Sequence, residues 1–202
     1  MEALPKSDET ETTRQRKPPW IRVKLPSGET FGRLRTLMRS KSLHTVCEEA
    51  MCPNMAECWG CGTATFLILG DVCTRNCRFC AVKEGRPFGL DLDEPNGVAD
   101  AVASMGLKHA VITSVTRDDL PDGGASHFAA TIRAIRERSP ECTVELLIPD
   151  LKGDLAALEI VLDARPDILG HNVETIPRLY PLARPQAVYK RSLDVLEAAK
   201  GM

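Results

Sequence analysis

The run CTRNCRFC, with Cys73, Cys77 and Cys80, follows directly on the apolar stretch ATFLILG at residues 64–70, and this junction constrains the chain more than anything else in it. ATFLILG is rich in strand formers and too short for a helix, so the thiols stand just past the C-terminal end of a strand. Thiolates at this spacing can hold an iron–sulfur cluster while leaving one iron without a protein ligand. A second trio, Cys47, Cys52 and Cys58, lies upstream. Six candidate soft ligands in two groups predict two metal centres.

The rest of the chain supplies a frame for that loop. Further strands are predicted at 109–114, 143–148 and 167–171, separated by helical patterns at 95–105, 126–139 and 155–164. Strand and helix alternating at this rhythm specify a parallel βα array, and a last helix at about 187–200 completes four βα units. Upstream, residues 20–25 read as an extended segment and 26–28 as a turn. Phe31, Leu34, Leu37 and Met38 at helical spacing predict a short helix. The stretch 44–62 is expected to be a loop with little regular structure, fixed by its own bonds to metal. Residues 1–19 are almost wholly polar and read as a disordered tail.

Composition removes several classes. A 43% hydrophobic content over 202 residues supports one domain's core, and a net charge of −2 offers no basic field, so no nucleic-acid partner is expected. Eight cysteines fall below the density of a disulfide scaffold. With no secretory start and no apolar span, the expected setting is cytoplasmic and away from membranes, where clustered cysteines act as metal ligands or redox groups.

In parallel βα arrays the active site forms at the C-terminal strand ends. Thr113, Ser114 and Thr116 follow the second strand, Pro149 and Asp150 the third, and His171, Asn172 and Glu174 the fourth. Singly, each has an ordinary reading as a cap or turn residue, as do Asp118 and Asp119. Their joint position on the face that carries the cysteines makes the group a candidate site.

Four strings carry a specific likeness: VCEEAMCPNMAECW, GDVCTRNCRFCAV, TSVTRDDLPDGGA and HNVETIPRLYPLARPQAVYKRSLDVL. Together, from about Trp20 to Leu196, they resemble the lipoyl synthases of the radical S-adenosylmethionine (SAM) superfamily. The Cys73 trio alone would imply only the superfamily; the upstream C-x4-C-x5-C trio narrows the likeness to this family. The resemblance implies an α/β fold, a parallel (β/α) partial TIM-type barrel of the radical SAM type. Residues 20–62 would form an N-terminal cysteine-rich extension with the auxiliary cluster loop, and 63–202 a truncated radical SAM core.

It further implies that Cys73, Cys77 and Cys80 hold a [4Fe–4S] cluster whose free iron chelates S-adenosylmethionine, and that reduction releases a 5′-deoxyadenosyl radical. Cys47, Cys52 and Cys58 would hold the auxiliary [4Fe–4S] cluster, consumed as sulfur donor. The substrate would be an octanoyl chain on a lipoyl-carrier protein or domain, converted to the lipoyl group by insertion of two sulfur atoms. The electron donor would be a protein such as flavodoxin or ferredoxin. By position, Thr113, Ser114, Asn172, Glu174 and Arg191 are the expected contacts to S-adenosylmethionine, whose hydroxyls and charged methionine end need such partners. Arg191 also has a plain reading as a surface ion pair. His44 and His171 are read as structural rather than as ligands.

Two departures stand out. Cys61 lies three residues past Cys58 and reads as a spare, partly buried thiol; Cys142 reads as a core residue. Lipoyl synthases also continue into further βα units and an Arg-Ser-Ser-Tyr-His stretch whose serine is the auxiliary cluster's fourth ligand. No such stretch occurs here, and Arg191-Ser192 belongs to the YKRSL motif instead. The chain is therefore expected to be a truncated member whose last strand keeps an open edge, and by itself to form no lipoyl product. Three other readings stay open: a catalytically incompetent fragment that still recognises the carrier, another radical SAM sulfur-insertion enzyme such as one resembling biotin synthase, and a binding module with closed four-ligand zinc sites.

Overall fold

The computed structural model describes residues 18, 29–41, 43–49 and 52–202. The expected tail at 1–19, apart from Pro18, the extended segment at 20–25 and the turn at 26–28 lie outside these residues, as do the side chains of Phe31 and Leu34. The elements run α1 (Glu29–Ser40), β1 (His44–Thr45), α2 (Val46–Glu49), α3 (Met55–Gly60), β2 (Thr63–Ile68), β3 (Val72–Cys73), β4 (Lys83–Glu84), α4 (Glu94–Met105), β5 (His109–Ser114), α5 (Ala125–Arg138), β6 (Thr143–Leu147), α6 (Leu155–Asp163), β7 (Ile168–Gly170), α7 (Tyr180–Ala183) and α8 (Tyr189–Gly201).

One sheet in the order β1-β2-β5-β6-β7 organises the chain. Its register sets Ala64 opposite Ala110 and Ala110 opposite Val144, and one pleat on, Phe66 opposite Ile112 and Ile112 opposite Leu146. These six side chains point to one face by the period of two and are buried, with α4, α5 and α6 supplying Val98, Val102, Phe128, Ile132, Ile135, Leu158 and Val161 to the same core. The helices pack in succession, α4 on α5, α5 on α6 and α6 on α8. The alternate strand residues, including Thr65, Val111, Thr113 and Glu145, are only half-buried. A parallel sheet lined by helices on one side and open on the other is a partial barrel.

The expected four βα units are present: β2 with α4, β5 with α5, β6 with α6 and β7 with α8. Local chemistry sets their ends. Asp154 accepts from the backbone of Ala156 at 2.9 Å and Ala157 at 3.2 Å to start α6, and Gly106 at φ 58° closes α4.

The stretch 44–62 corrects the sequence reading. It is not an irregular loop: β1 pairs antiparallel with β2, His44 opposite Leu67 and Thr45 opposite Phe66, and α2 and α3 follow. The cause is burial. Thr45, Cys47 and Trp59 are all inside the core, and backbone removed from water must find hydrogen bonds within the chain.

Between β5 and α5, TSVTRDDLPDGGA folds into a tight turn. Asp122 accepts from the backbone of Gly124 at 2.9 Å and Ser126 at 2.8 Å, and Gly123 and Gly124 take φ values of 61° and 95°. A Cβ on Gly124 would lie 2.4 Å from Leu69 Cδ1. Leu69 joins β2 to the cysteine loop and is itself at φ 71°. Gly124→Ala is therefore expected to lose about 1–3 kcal/mol of stability. Thermal unfolding checks this, at roughly 2–4 °C of midpoint per kcal/mol for a chain of this size; an unchanged midpoint would show that the turn accepts a side chain.

Candidate metal centres

The sulfur of Cys73 is placed by backbone. Cys73 ends β3, which pairs in parallel with β4, and its Sγ accepts N–H bonds from Arg75 at 3.4 Å and Thr116 at 3.3 Å. The Cys80 amide donates to the Cys77 carbonyl at 3.0 Å, turning the chain so that both thiols return to the same region. Burial pushes the Cys77 thiol up; the Arg184 guanidinium opposes that, and the Cys73 and Cys80 sulfurs add to it. The three thiols thus share one short loop past the end of β2.

Arg75, in the middle of CTRNC, anchors the loop. It is 5% exposed, and its Nε and Nη2 donate to the two carboxylate oxygens of Asp118 at 2.7 and 2.9 Å, while Nη2 also reaches Asp150 Oδ1 at 2.6 Å. Asp150 is fully buried. Burial alone would raise its pKa, but Arg75 reverses this and holds the carboxyl below the usual range. Next to Arg75, the Thr74 hydroxyl donates to Thr116 O at 2.9 Å and accepts from Asp118 N at 3.0 Å. The loop after β2 is therefore tied to the ends of β5 and β6. Asp118 does more than cap a turn, and Asp119 pairs with the buried Arg117.

The upstream trio is also gathered. Cys47 is buried in α2, the Cys52 amide donates to Cys47 O at 3.0 Å, and Cys58 lies on α3. Burial raises the Cys58 thiol, and Cys47, Cys52, Glu57 and Cys61 raise it further. Cys61 is exposed rather than partly buried, because it follows the last turn of α3 on the solvent side. Cys142 is a core residue, 2% exposed. Among the described residues no three His, Cys, Asp or Glu side chains close on a single ion.

The other candidates sit at the C-terminal strand ends with different surroundings. Thr113 Oγ1 donates to Leu147 O at 2.8 Å. The adjacent Ser114 Oγ is buried with no partner. Asn172 and Glu174 are exposed on the connection after β7, Glu174 at φ 67°. Arg191 meets Asp150 Oδ2 at 3.4 Å; its partner is a buried carboxylate, so this is no surface ion pair. His171 is held between Ile148 O at 2.8 Å and Ser192 Oγ at 2.9 Å, and His44 lies 3.2 Å from Glu49. Arg75, Asp118 and Arg184 were not legible as site residues. Only Arg75 carried a signal, its place between two candidate ligand cysteines.

Comparison with known proteins agrees with this geometry. The model of the radical SAM superfamily matches residues 67–202. The chain belongs to the radical SAM superfamily. Within it, the model of the N-terminal domain of lipoyl synthase matches residues 3–52. Similar proteins include the lipoyl synthases of Rubrobacter xylanophilus, 62% identical over 94% of this chain and 59% of the relative, and of Halalkalibacterium halodurans, 59% identical over 93% and 62%. That of Shouchella clausii is 54% identical over 98% and 64%. The chain spans about three-fifths of the length of these relatives. The crystal structure of methylornithine synthase superposes with a TM-score of 0.54 at 16% identity, covering 84% of this chain and 52% of that one, and it shares the fold.

The cofactors of such radical SAM proteins are S-adenosylmethionine and [4Fe–4S] clusters. The donor sets suit them: each trio is all sulfur, and Cys73 already receives two backbone N–H bonds of the kind that tune cluster sulfurs. The unpaired Ser114 hydroxyl suits a polar ligand at the β5 end. Among the described residues no helix is long and apolar enough to cross a membrane.

Proposed function

We propose that this chain carries the cluster-binding part of a cytoplasmic lipoyl synthase, with the auxiliary ligands in an extension over 20–62 and the radical SAM core over 63–202. The observation that carries the reading is the gathering of two separate all-sulfur trios, one past the C-terminal end of β2 and one beside the β1 edge. Cys73, Cys77 and Cys80 would hold the radical-generating cluster and Cys47, Cys52 and Cys58 the auxiliary one. When bound, the clusters supply an electron to S-adenosylmethionine and sulfur to the octanoyl chain.

The chain's own residues do the positioning. Arg75, Asp118 and Asp150 hold the loop, so the Cys73 trio is pre-set before any ligand arrives. Ser114 and Thr113 present hydroxyls at the β5 end, and Arg191, placed by Asp150, offers a cation to a carboxylate. Asn172 and Glu174 offer an amide and a carboxylate from the connection after β7. The octanoylated lipoyl-carrier protein or domain is the proposed substrate, and a flavodoxin or ferredoxin the proposed reductant. The test is mass spectrometry of an octanoylated carrier domain after anaerobic turnover with S-adenosylmethionine and reductant. The assay uses this chain alone, and again with the C-terminal portion of the Rubrobacter xylanophilus relative. The chain alone is expected to leave the octanoyl group unmodified, and mercaptooctanoyl or lipoyl carrier is the expected product once the C-terminal portion is added. Formation of 5′-deoxyadenosine with an unmodified octanoyl group under both conditions would favour a different radical SAM reaction.

A further inference from the structure

Three arginines are buried in the described residues: Arg75, Arg117 and Arg184. Two have carboxylate partners, Arg75 with Asp118 and Asp150, Arg117 with Asp119. Arg184 is 9% exposed and, among the described residues, has no acidic partner. Its Nη1 donates to Asn172 O at 2.8 Å, its Cζ lies 5.4 Å from the centre of the Tyr180 ring, and its Nε is buried without a hydrogen bond. A cation removed from water without a counter-charge is costly. Its surroundings show what would compensate.

The segment around Arg184 straps the cysteine loop on both sides of Cys77. The Asn76 amide donates to Gln186 Oε1 at 3.2 Å and the Arg78 amide to Ala183 O at 2.8 Å. Arg184 lies between these two bridges, and its guanidinium is beside the Cys77 thiol. The strap contacts the chain just before and just after the cysteine and brings an uncompensated cation to its sulfur.

We propose that Arg184 is a positioning residue of the cluster at Cys73, Cys77 and Cys80, its guanidinium directed at the Cys77 sulfur so that the negatively charged centre supplies the missing counter-charge. The inference rests on that trio holding a [4Fe–4S] cluster. Net charge and hydrogen bonds to sulfur set a cluster's reduction potential. A cation at this point stabilises the more negative, reduced state, so Arg184 makes the cluster easier to reduce.

The experiment is a potentiometric titration, followed by electron paramagnetic resonance without S-adenosylmethionine, of the reconstituted chain carrying Cys47→Ala, Cys52→Ala and Cys58→Ala, so that only the Cys73 trio is loaded. Loss of the signal on adding Cys77→Ala establishes that the cluster is the one in question. If the signal survives, the ligand assignment fails and the proposal fails with it. Given that control, Arg184→Met is expected to shift the potential to more negative values, and Arg184→Lys to restore part of the shift. An unchanged potential in Arg184→Met overturns the proposal alone. So does weaker S-adenosylmethionine binding at unchanged potential, since that assigns Arg184 to the ligand's carboxylate. Should Arg184→Met not assemble a cluster, the parent labelled with nitrogen-15 in its arginine guanidinium groups decides the matter. Coupling of one such nitrogen to the reduced cluster is expected, and its absence overturns the proposal.

Discussion

Cys77→Ala is expected to remove half of the iron that the parent chain takes up on anaerobic reconstitution with iron and sulfide, from about eight irons per chain to about four. It should also abolish reductive cleavage of S-adenosylmethionine. The two effects belong together, because Cys73, Cys77 and Cys80 share one short loop while the Cys47 trio is drawn from α2, the turn after it and α3. Cys58→Ala should remove the other half of the iron and leave 5′-deoxyadenosine formation in place. Iron and sulfide analysis with chromatographic detection of 5′-deoxyadenosine checks both variants. Production of 5′-deoxyadenosine by Cys77→Ala would show that the radical-generating site lies elsewhere.

Arg75→Met is the substitution with the largest expected cost to the fold itself. Asp150 is fully buried, and removing Arg75 takes away its closest cation and leaves its charge only the longer 3.4 Å contact with Arg191. Breaking a buried pair from one side costs about 3–5 kcal/mol. For a chain of this length that is a midpoint loss of roughly 6–20 °C. Adding Asp150→Asn to Arg75→Met removes the stranded charge and should recover part of the loss, since an amide oxygen still accepts the Lys152 N–H that Asp150 Oδ1 receives at 3.2 Å. Calorimetry of the metal-free proteins gives the comparison. If the double variant were no more stable than the single, the cost would lie in the loop's packing and not in the buried charge.

The repeating part of the molecule was legible because its signals are local. The apolar run at 64–68 and the alternating 109–112 and 143–146, with Gly106 and Asp154 at helix ends, state strand and helix without reference to anything distant. The six candidate ligand cysteines could be proposed for the same reason, each trio being close in sequence. What periodicity could not show is which charges meet across the fold. Asp118 and Asp119 are adjacent and read alike as turn residues, yet one holds Arg75 and the other Arg117. Arg184 sits in a Pro-containing turn with no pattern at all, and its importance comes from what it lacks. The stretch 44–62 was misread because its cysteines drew the reading toward metal; Thr45, Cys47 and Trp59 instead make it part of the core, and the core imposes regular backbone.

The anchors of the cysteine loop also imply an order of events during synthesis. Arg75 leaves the ribosome long before Asp118 and Asp150, which lie 43 and 75 positions later, and Gln186 follows Asn76 by 110. Contacts so far apart in the chain close late. The nascent loop thus presents three bare thiols with none of these distant supports until the second βα unit exists, and lacks the full set until the fourth. Iron delivered early would meet an unshaped ligand set, open to wrong partners such as the Cys47 trio a short distance upstream. On the proposed ligand assignment, a correctly shaped site for the cluster would exist only after the ribosome has reached the strap.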